Sequence, residues 1–158
     1  FFAGRSLQEW SPILADFVET RVKPRICAQA FARVAAHQAQ GHHIAIVSAT
    51  HAILAKAVAS PFDLPLLVTK VIVRDDHITG EIDGPICFRD TKRDFLERWL
   101  KDEAVGETLA GESTFYSDSV NDVPLLETVR HPIAINPDPG LAQIAAQRGW
   151  PVEVWRCA

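Results

Sequence analysis

Residues 115 to 122 read FYSDSVND, a short apolar run followed by two carboxylates, Asp118 and Asp122. An apolar strand that ends in a carboxylate and runs into a helix is typical of the edge of a parallel sheet where ligands bind. Because Asp122 lies about one helical turn after Asp118, both side chains can face one location, as in Mg²⁺ sites built from one or two carboxylates. Capping is the alternative, with Asp118 or Ser119 bonding the amides of a helix at Asn121. The segment alone leaves both open.

Strand and helix patterns alternate along the rest of the chain. The apolar run Ile44 to Val47 predicts a buried parallel strand, followed by a helix from about His51 to Ser60. Residues 66–84 predict two strands that turn at Asp75-Asp76-His77. Later strand and helix patterns lie at 113–118, 121–129, 132–135, 140–149 and 151–155. This alternation predicts an α/β fold, a Rossmann-like parallel sheet with helices on both faces and one β-hairpin.

Three helices are predicted before and between these strands. Residues 7 to 22 carry apolar side chains at three- and four-residue spacing, which predicts a helix whose apolar face is interrupted near Pro12. Pro24 is expected to open a second helix that stops at Gly41. DTKRDFLERWLKDE (90–103) predicts an amphipathic helix capped by Asp90 or Thr91, with a buried face formed by Phe95, Leu96, Trp99 and Leu100.

The charge, hydropathy and cysteine content of the chain argue against several classes of function. The 158 residues fit one globular domain, and a formal net charge of −4 without a basic cluster argues against nucleic-acid binding. No apolar run is long enough to cross a membrane, so we expect a soluble protein. Three cysteines without CxxC spacing indicate neither a disulfide framework nor a zinc site, which favours a cytoplasmic location. Small molecules are the expected partners, and the oligomeric state cannot be predicted.

Two further segments could contact an anion. In Val47-Ser48-Ala49-Thr50, the Ser48 hydroxyl and the amides of Ala49 and Thr50 could hold phosphate oxygens, although Ser48 or Thr50 could equally cap the next helix. Lys92 stands at a helix start, where the helix dipole disfavours a cation. It could stabilise a phosphoryl group, or it could be an ordinary surface lysine.

Taken in order, these segments resemble the haloacid dehalogenase superfamily, in the branch related to phosphoserine phosphatase. IAIVSAT (44–50) matches that family's second motif, and Lys92 in CFRDTKRDFLERWL (87–100) fits the third. FYSDSVNDVPLLE (115–127) matches the fourth, and PIAINPDPGL (132–141) is similar to the Asn-Pro-Asp segment of this branch. The resemblance covers residues 24 to 158.

The resemblance implies a Mg²⁺-dependent phosphatase that acts on a small phosphorylated metabolite through an aspartyl-phosphate. Asp118 would be a metal ligand and Asp122 a second acidic group at the metal or its water shell. Lys92 would stabilise the phosphoryl group and the nucleophile. Ser48, the amides of Ala49 and Thr50, and Asn121 would bind phosphate.

The family's first motif, DxDxT, which supplies the nucleophile, is absent from these 158 residues. Without its strand, two apolar strands would carry unpaired backbone edges, which is costly in a core. The chain also contains no methionine. We therefore expect a longer native polypeptide, in which residues 1–22 end a helical cap and residues 23–158 form an α/β core lacking its first strand. Alone, this part would be inactive.

Two other functions remain compatible with the same residues. The chain could be a non-catalytic phosphate- or metabolite-binding module that truly lacks the nucleophile. It could also be a phosphotransferase that passes the phosphoryl group to an acceptor hydroxyl. The presence or absence of DxDxT upstream of Phe1 separates the enzyme from the binding module.

Overall fold

The computed structural model describes residues 3–103 and 113–156. Contacts between residues divide them after Cys87 into an N-terminal unit and a C-terminal unit. Each unit has its own three-stranded sheet, with strand orders β1-β2-β3 and β4-β5-β6. The units are described in turn below.

The N-terminal unit begins with helix α1, Leu7–Phe17. Its start is fixed by a capping box, in which Ser6 Oγ accepts from the Glu9 amide and Glu9 Oε2 accepts from the Ser6 amide. The helix runs through Pro12, where the apolar face is predicted to be interrupted, and Pro12 itself is exposed. Proline removes one backbone hydrogen bond there, and burial of Trp10 on the same helix offsets that loss.

The second helix starts later than Pro24 predicts. A π-helical turn, Val18–Val22, and a 3-10 turn, Lys23–Arg25, follow α1. The backbone then becomes extended at Ile26 and Cys27, so α2 spans Ala28–Ala39. The predicted stop near Gly41 is confirmed, with this glycine at a φ of 72° just after the helix.

The sheet of this unit combines a parallel and an antiparallel pair. Strand β1, Ile46–His51, pairs in parallel with β2, Leu66–Arg74, and helix α3, Ala52–Ala59, connects them. Strand β3, His77–Asp83, returns antiparallel to β2. Asp75 and Asp76 have φ values of 48° and 65°, as a two-residue type I′ turn requires, so the predicted hairpin is confirmed.

The C-terminal unit is a parallel α/β layer. Its strands are β4, Thr114–Ser117; β5, His131–Ile135; and β6, Val152–Glu153, with all pairs parallel. Its helices are α4, Thr91–Asp102; α5, Val123–Leu126; and α6, Pro139–Arg148. A fully buried cluster packs helices onto the sheet and contains Leu126, Ala134, Leu141 and Ala145. The predicted class, an α/β fold with parallel strands flanked by helices, is confirmed.

Two global expectations can be compared with the structure. The cysteine spacing indicates no disulfide framework, and in the part of the chain that the structure describes Cys87 is a buried free thiol. None of the helices in the described part of the chain has the length and hydropathy needed to span a bilayer.

We predict that Leu141→Ala lowers the free energy of unfolding by about 2 to 5 kcal/mol, because Leu141 is fully buried and its truncation leaves a cavity. Val154→Ala is the control: Val154 is 75% exposed, so its change should stay within about 0.5 kcal/mol. Denaturant unfolding followed by tryptophan fluorescence measures both. Equal effects of the two variants would contradict the assigned core.

Candidate active site

A buried ion pair joins helix α4 to the segment after β4. Lys92 Nζ lies 2.5 Å from Asp122 Oδ1, and the two side chains are only 8% and 9% exposed. Ser117 Oγ donates to the other oxygen, Asp122 Oδ2, at 2.8 Å. Both carboxylate oxygens of Asp122 therefore accept from protein donors. The alternative that Lys92 is a surface residue is wrong.

The turn before α4 brings Lys92 to this position. Asp90 occupies the N-cap position, but its side chain makes no cap bond, so the expected Asp90 cap is absent from α4. Thr91 closes the turn instead: its Oγ1 accepts from the Phe88 amide at 2.9 Å and donates to the Phe88 carbonyl at 2.8 Å. A lysine in the first turn opposes the helix dipole, and the Asp122 carboxylate compensates for it.

Asp118 differs from Asp122 in having an exposed side chain directly after β4. Among residues 3–103 and 113–156, its carboxylate makes no hydrogen bond or ion pair. The cap of the following 3-10 turn is Ser119 and not Asp118, since Ser119 Oγ accepts from the Asn121 amide at 3.2 Å. The Asp118 carboxylate therefore remains available to a ligand.

The donor set suits a hard cation. Asp118 offers only carboxylate oxygens, which Mg²⁺ prefers, and Mg²⁺ commonly takes one or two carboxylates together with waters and substrate oxygens. No group of three or more His, Cys, Asp or Glu side chains within the described part of the chain is placed to hold a metal. The exposed Asp118 carboxylate is a group of the kind that holds such an ion.

Asn121 is held by a residue that the sequence did not single out. Arg89 Nε donates to Asn121 Oδ1 at 3.2 Å, and Asn121 Nδ2 donates to Ser119 Oγ at 3.3 Å. Arg89 has a left-handed backbone, with a φ of 50°, which is uncommon for a non-glycine residue. These bonds fix which end of the Asn121 amide is the donor.

The Ser48 segment belongs to the N-terminal unit and forms a bulge. The strand register passes from Ser48 opposite Val68 directly to His51 opposite Thr69, so Ala49 and Thr50 lie outside the ladder. The Thr50 amide donates to Ser48 Oγ at 3.2 Å. This arrangement turns the hydroxyl of Ser48 toward the bulged backbone.

The cap of α3 is His51, whose Nδ1 accepts from the Leu54 amide at 3.4 Å. The alternative that Ser48 or Thr50 caps this helix is therefore wrong, because the helix begins only at Ala52. The amides of Ala49 and Thr50 are bulge amides and not helix N-terminal amides. Bulges of this kind often re-aim groups beside active sites.

Asp138 contacts the Asp118 segment from the start of α6. Its backbone amide donates to the Asp118 carbonyl at 2.7 Å, and its Oδ2 accepts from the Val120 amide at 2.8 Å. Its Oδ1 accepts from the Leu141 amide at 2.7 Å. The backbone N–H groups of Leu141, Val120 and Gly140 lower the pKa of Asp138.

Sequence reasoning missed the contributions of Ser117, Arg89 and Asp138. The only available signal was position: Ser117 ends β4, Arg89 precedes Lys92 by one turn, and Asp138 opens α6. The Ser117–Asp122 and Asp138–Leu141 contacts are local, but Arg89 reaches Asn121 across 32 residues and Asp138 reaches Val120 across 18. Such contacts follow from the fold and not from local spacing.

Comparison with known proteins finds a matching family model and several relatives of this chain. A family model described as haloacid dehalogenase-like hydrolase matches residues 1–127. The chain is 32% identical over 154 residues to a histidinol-phosphatase of Neisseria meningitidis serogroup C (strain 8013), covering 95% of this chain and 68% of that protein. It is 32% identical over 152 residues to a probable phosphatase of Mycobacterium tuberculosis (strain ATCC 25618 / H37Rv), covering 95% of this chain and 51% of the relative.

Solved structures agree in fold. A protein of unknown function from Bordetella pertussis Tohama I shares 40% identity and a TM-score of 0.88, over 96% of this chain and 69% of that one. A phospho-aspartyl intermediate analogue of phosphoserine phosphatase matches at a TM-score of 0.68 and 18% identity, over 99% of this chain and 68% of that one. The chain thus spans about two thirds of some relatives and about half of others.

We predict that His51 makes stability fall on acidification. Burial lowers the pKa of His51 from its ordinary value of 6.5, and the neutral ring is needed to accept from Leu54. Because the folded pKa is the lower one, the stabilisation is present above pH 6.5 and is lost as pH falls through the folded pKa.

His51→Asn should keep a helix cap but remove this titration, so its free energy of unfolding should depend less on pH than that of wild type. His37, whose pKa is also lowered by burial, is present in both proteins and cancels in the difference. Urea denaturation between about pH 5 and pH 8 measures the difference, in the range where histidine titrates. Parallel pH profiles for the two proteins would refute the assignment.

Proposed function

The chain belongs to the haloacid dehalogenase-like hydrolase family, and we propose that it is the core of a Mg²⁺-dependent phosphatase acting on a small phosphomonoester. The observation that carries this proposal is the buried Lys92–Asp122 pair, together with the exposed carboxylate of Asp118, for which the described residues supply no hydrogen bond or ion pair. A buried cation and an exposed carboxylate that lies four residues before the partner of that cation suit phosphoryl transfer, in which negative charge must be held and neutralised.

In this proposal Lys92 neutralises charge on the phosphoryl group. An ammonium group has three N–H donors, and Asp122 accepts from one of them. The other donors remain for phosphate and nucleophile oxygens. Asp122 thus acts as the residue that holds Lys92, aided by the hydroxyl of Ser117.

We assign the direct magnesium contact to Asp118. Asp122, whose two oxygens each accept a hydrogen bond from Lys92 or Ser117, would act on the ion through its water shell. The ion, when bound, supplies positive charge that offsets the developing charge on the phosphate oxygens. Asp118, directly after β4, would hold the ion that carries this charge.

Phosphate contacts are assigned residue by residue. The Ser48 hydroxyl and the amides of Ala49 and Thr50 are one set of donors in this proposal, in which the Thr50 amide exchanges its acceptor Ser48 Oγ for a phosphate oxygen. Asn121 is another, because Arg89 occupies its amide oxygen and leaves Nδ2 as the donor end. Each assignment rests on the family resemblance together with the local hydrogen bonds.

The nucleophile is proposed to come from outside residues 1–158, since the sequence contains no DxDxT. Within the described residues, β1 has one neighbouring strand, β2, and β4 has one, β5. A strand carrying the aspartate can therefore pair with such an edge. Residues 1–22 are proposed as the end of a helical cap, and 23–158 as α/β core. The phosphoryl group would pass to that aspartate and then to water.

The substrate class is a small phosphorylated metabolite. Relatives are named histidinol-phosphatase and phosphoserine phosphatase, so phosphate esters of amino-bearing alcohols are the first compounds to test. Each has a phosphate monoester at one end and a cationic amine at the other. A panel of such esters against simple alkyl phosphates would show whether the amine matters.

We predict that the protein encoded by the complete gene hydrolyses a chromogenic phosphate ester with Mg²⁺ and loses this activity in EDTA. Asp118→Asn should reduce kcat/KM by about 100-fold or more, because a charge-stabilising group is removed. Asp118 is exposed, so this variant should fold normally. Lys92→Ala should lose as much activity, and it should also be destabilised because it leaves Asp122 buried without its cation.

Lys101→Ala is the matched control, since Lys101 is an exposed lysine on the same helix α4. Its kcat/KM should equal that of wild type. Magnesium-independent hydrolysis, or full activity in Asp118→Asn, would refute the proposal. Phosphate binding without any hydrolysis by the complete protein would identify the binding module instead.

A further inference from the structure

The segment Asn136-Pro137-Asp138 joins β5 to α6 and is fixed at both ends. Asn136 has a φ of 44° and pairs twice with the Trp155 backbone, donating from Nδ2 to the carbonyl and accepting at Oδ1 from the amide, both at 2.9 Å. Its own amide donates to the Glu153 carbonyl at 2.9 Å. Asp138, two residues later, is therefore presented from a rigid turn.

Asp138 forms hydrogen bonds with both ends of the three-residue loop Asp118–Val120. Its backbone amide donates to the Asp118 carbonyl at 2.7 Å, and its Oδ2 accepts from the Val120 amide at 2.8 Å. The Asp118 carboxylate has no hydrogen bond or ion pair anywhere in the described chain. The direction of that carboxylate must therefore be set through the backbone of this loop.

The same carboxylate also starts a helix. Asp138 Oδ1 accepts from the Leu141 amide at 2.7 Å and caps α6. The loop packs closely on this helix start, because a Cβ added at Gly140 would lie 3.1 Å from both Cβ and Cγ2 of Val120. One side chain thus ties the loop to the first turn of α6.

We propose that Asp138 is a positioning residue that aims Asp118 at the metal. This inference rests on the proposed function, in which Asp118 is the magnesium ligand. It assigns a role to the Asn-Pro-Asp segment: Asn136 anchors the turn, and Asp138 transmits its position to the loop. Residues that orient metal ligands typically change metal affinity or activity by 10- to 100-fold when they are replaced.

The variant Asp138→Asn separates the two hydrogen bonds that the Asp138 carboxylate accepts, one from Leu141 and one from Val120. It has one acceptor oxygen, whereas Asp138 uses two different oxygens for Leu141 and Val120. Asparagine is also a good helix cap, so Asp138→Asn can keep the bond to Leu141. The amide nitrogen then meets the Val120 N–H, and the loop loses its restraint.

The test uses the protein encoded by the complete gene, with wild type, Asp138→Asn, Gly140→Ala, Asp118→Asn and the control Ser6→Ala. Ser6 caps α1 in the N-terminal unit, so Ser6→Ala reports the effect of losing a helix cap by itself. Without metal, amide hydrogen exchange of Val120 directly measures the hydrogen bond from the Val120 amide to Asp138 Oδ2. Titration calorimetry with MgCl₂ measures the affinity for the ion, and phosphatase assays across MgCl₂ concentrations measure the consequence.

We expect Asp138→Asn to speed exchange at Val120, to raise the Kd for Mg²⁺ by about 10-fold or more, and to regain part of its activity at high Mg²⁺. Gly140→Ala, which pushes Val120 away, should change Mg²⁺ affinity in the same direction. Ser6→Ala should lower thermal stability without changing the Kd for Mg²⁺.

The outcomes separate this inference from the proposed function. If Asp118→Asn abolishes Mg²⁺ binding while Asp138→Asn binds it as wild type does, the positioning role is overturned and the proposed function stands. If Asp118→Asn binds Mg²⁺ like wild type, the proposed function fails and the inference fails with it. If amide exchange at Val120 is the same in Asp138→Asn as in wild type, Asp138 does not restrain the loop and the positioning role is also overturned.

Discussion

The carboxylate of Asp122, buried between Lys92 and Ser117, is the contact on which the rest of the site depends. Burying an ion pair gains little stability by itself, because both groups lose their hydration. The pair fixes a lysine near the start of α4 against the helix dipole and holds its ammonium group at the end of β4. Each oxygen of Asp122 accepts one hydrogen bond in this way, whereas the exposed Asp118 carboxylate accepts none from the described residues.

Local rules predicted much of the fold. The turn at Asp75-Asp76 was predictable because two aspartates between β-rich runs suit a tight hairpin, and aspartate tolerates the left-handed backbone found there. Helix α4 followed from its apolar periodicity. One error concerns α2, because extended backbone at Ile26 and Cys27 delays its start from Pro24 to Ala28.

The sequence singles out candidate site residues but not their contacts. The sequence places Lys92 at a helix start, yet its burial depends on Asp122, which lies 30 residues away. Arg89 reaches Asn121 across 32 residues, and Asp138 reaches Val120 across 18. The cap of α3 is a further example, since the bulge after Ser48 moves the helix start to Ala52 and gives the capping role to His51.

The central claim is that Asp118 contacts the metal while Asp122 holds Lys92. A crystal structure of the protein encoded by the complete gene, bound to Mg²⁺ and a phosphate analogue such as orthovanadate, tests this most directly. The account predicts an Asp118 oxygen about 2.0 to 2.1 Å from the ion, with Lys92 contacting both Asp122 and the analogue. Magnesium bound away from Asp118, or a Lys92 side chain turned to solvent, would contradict it.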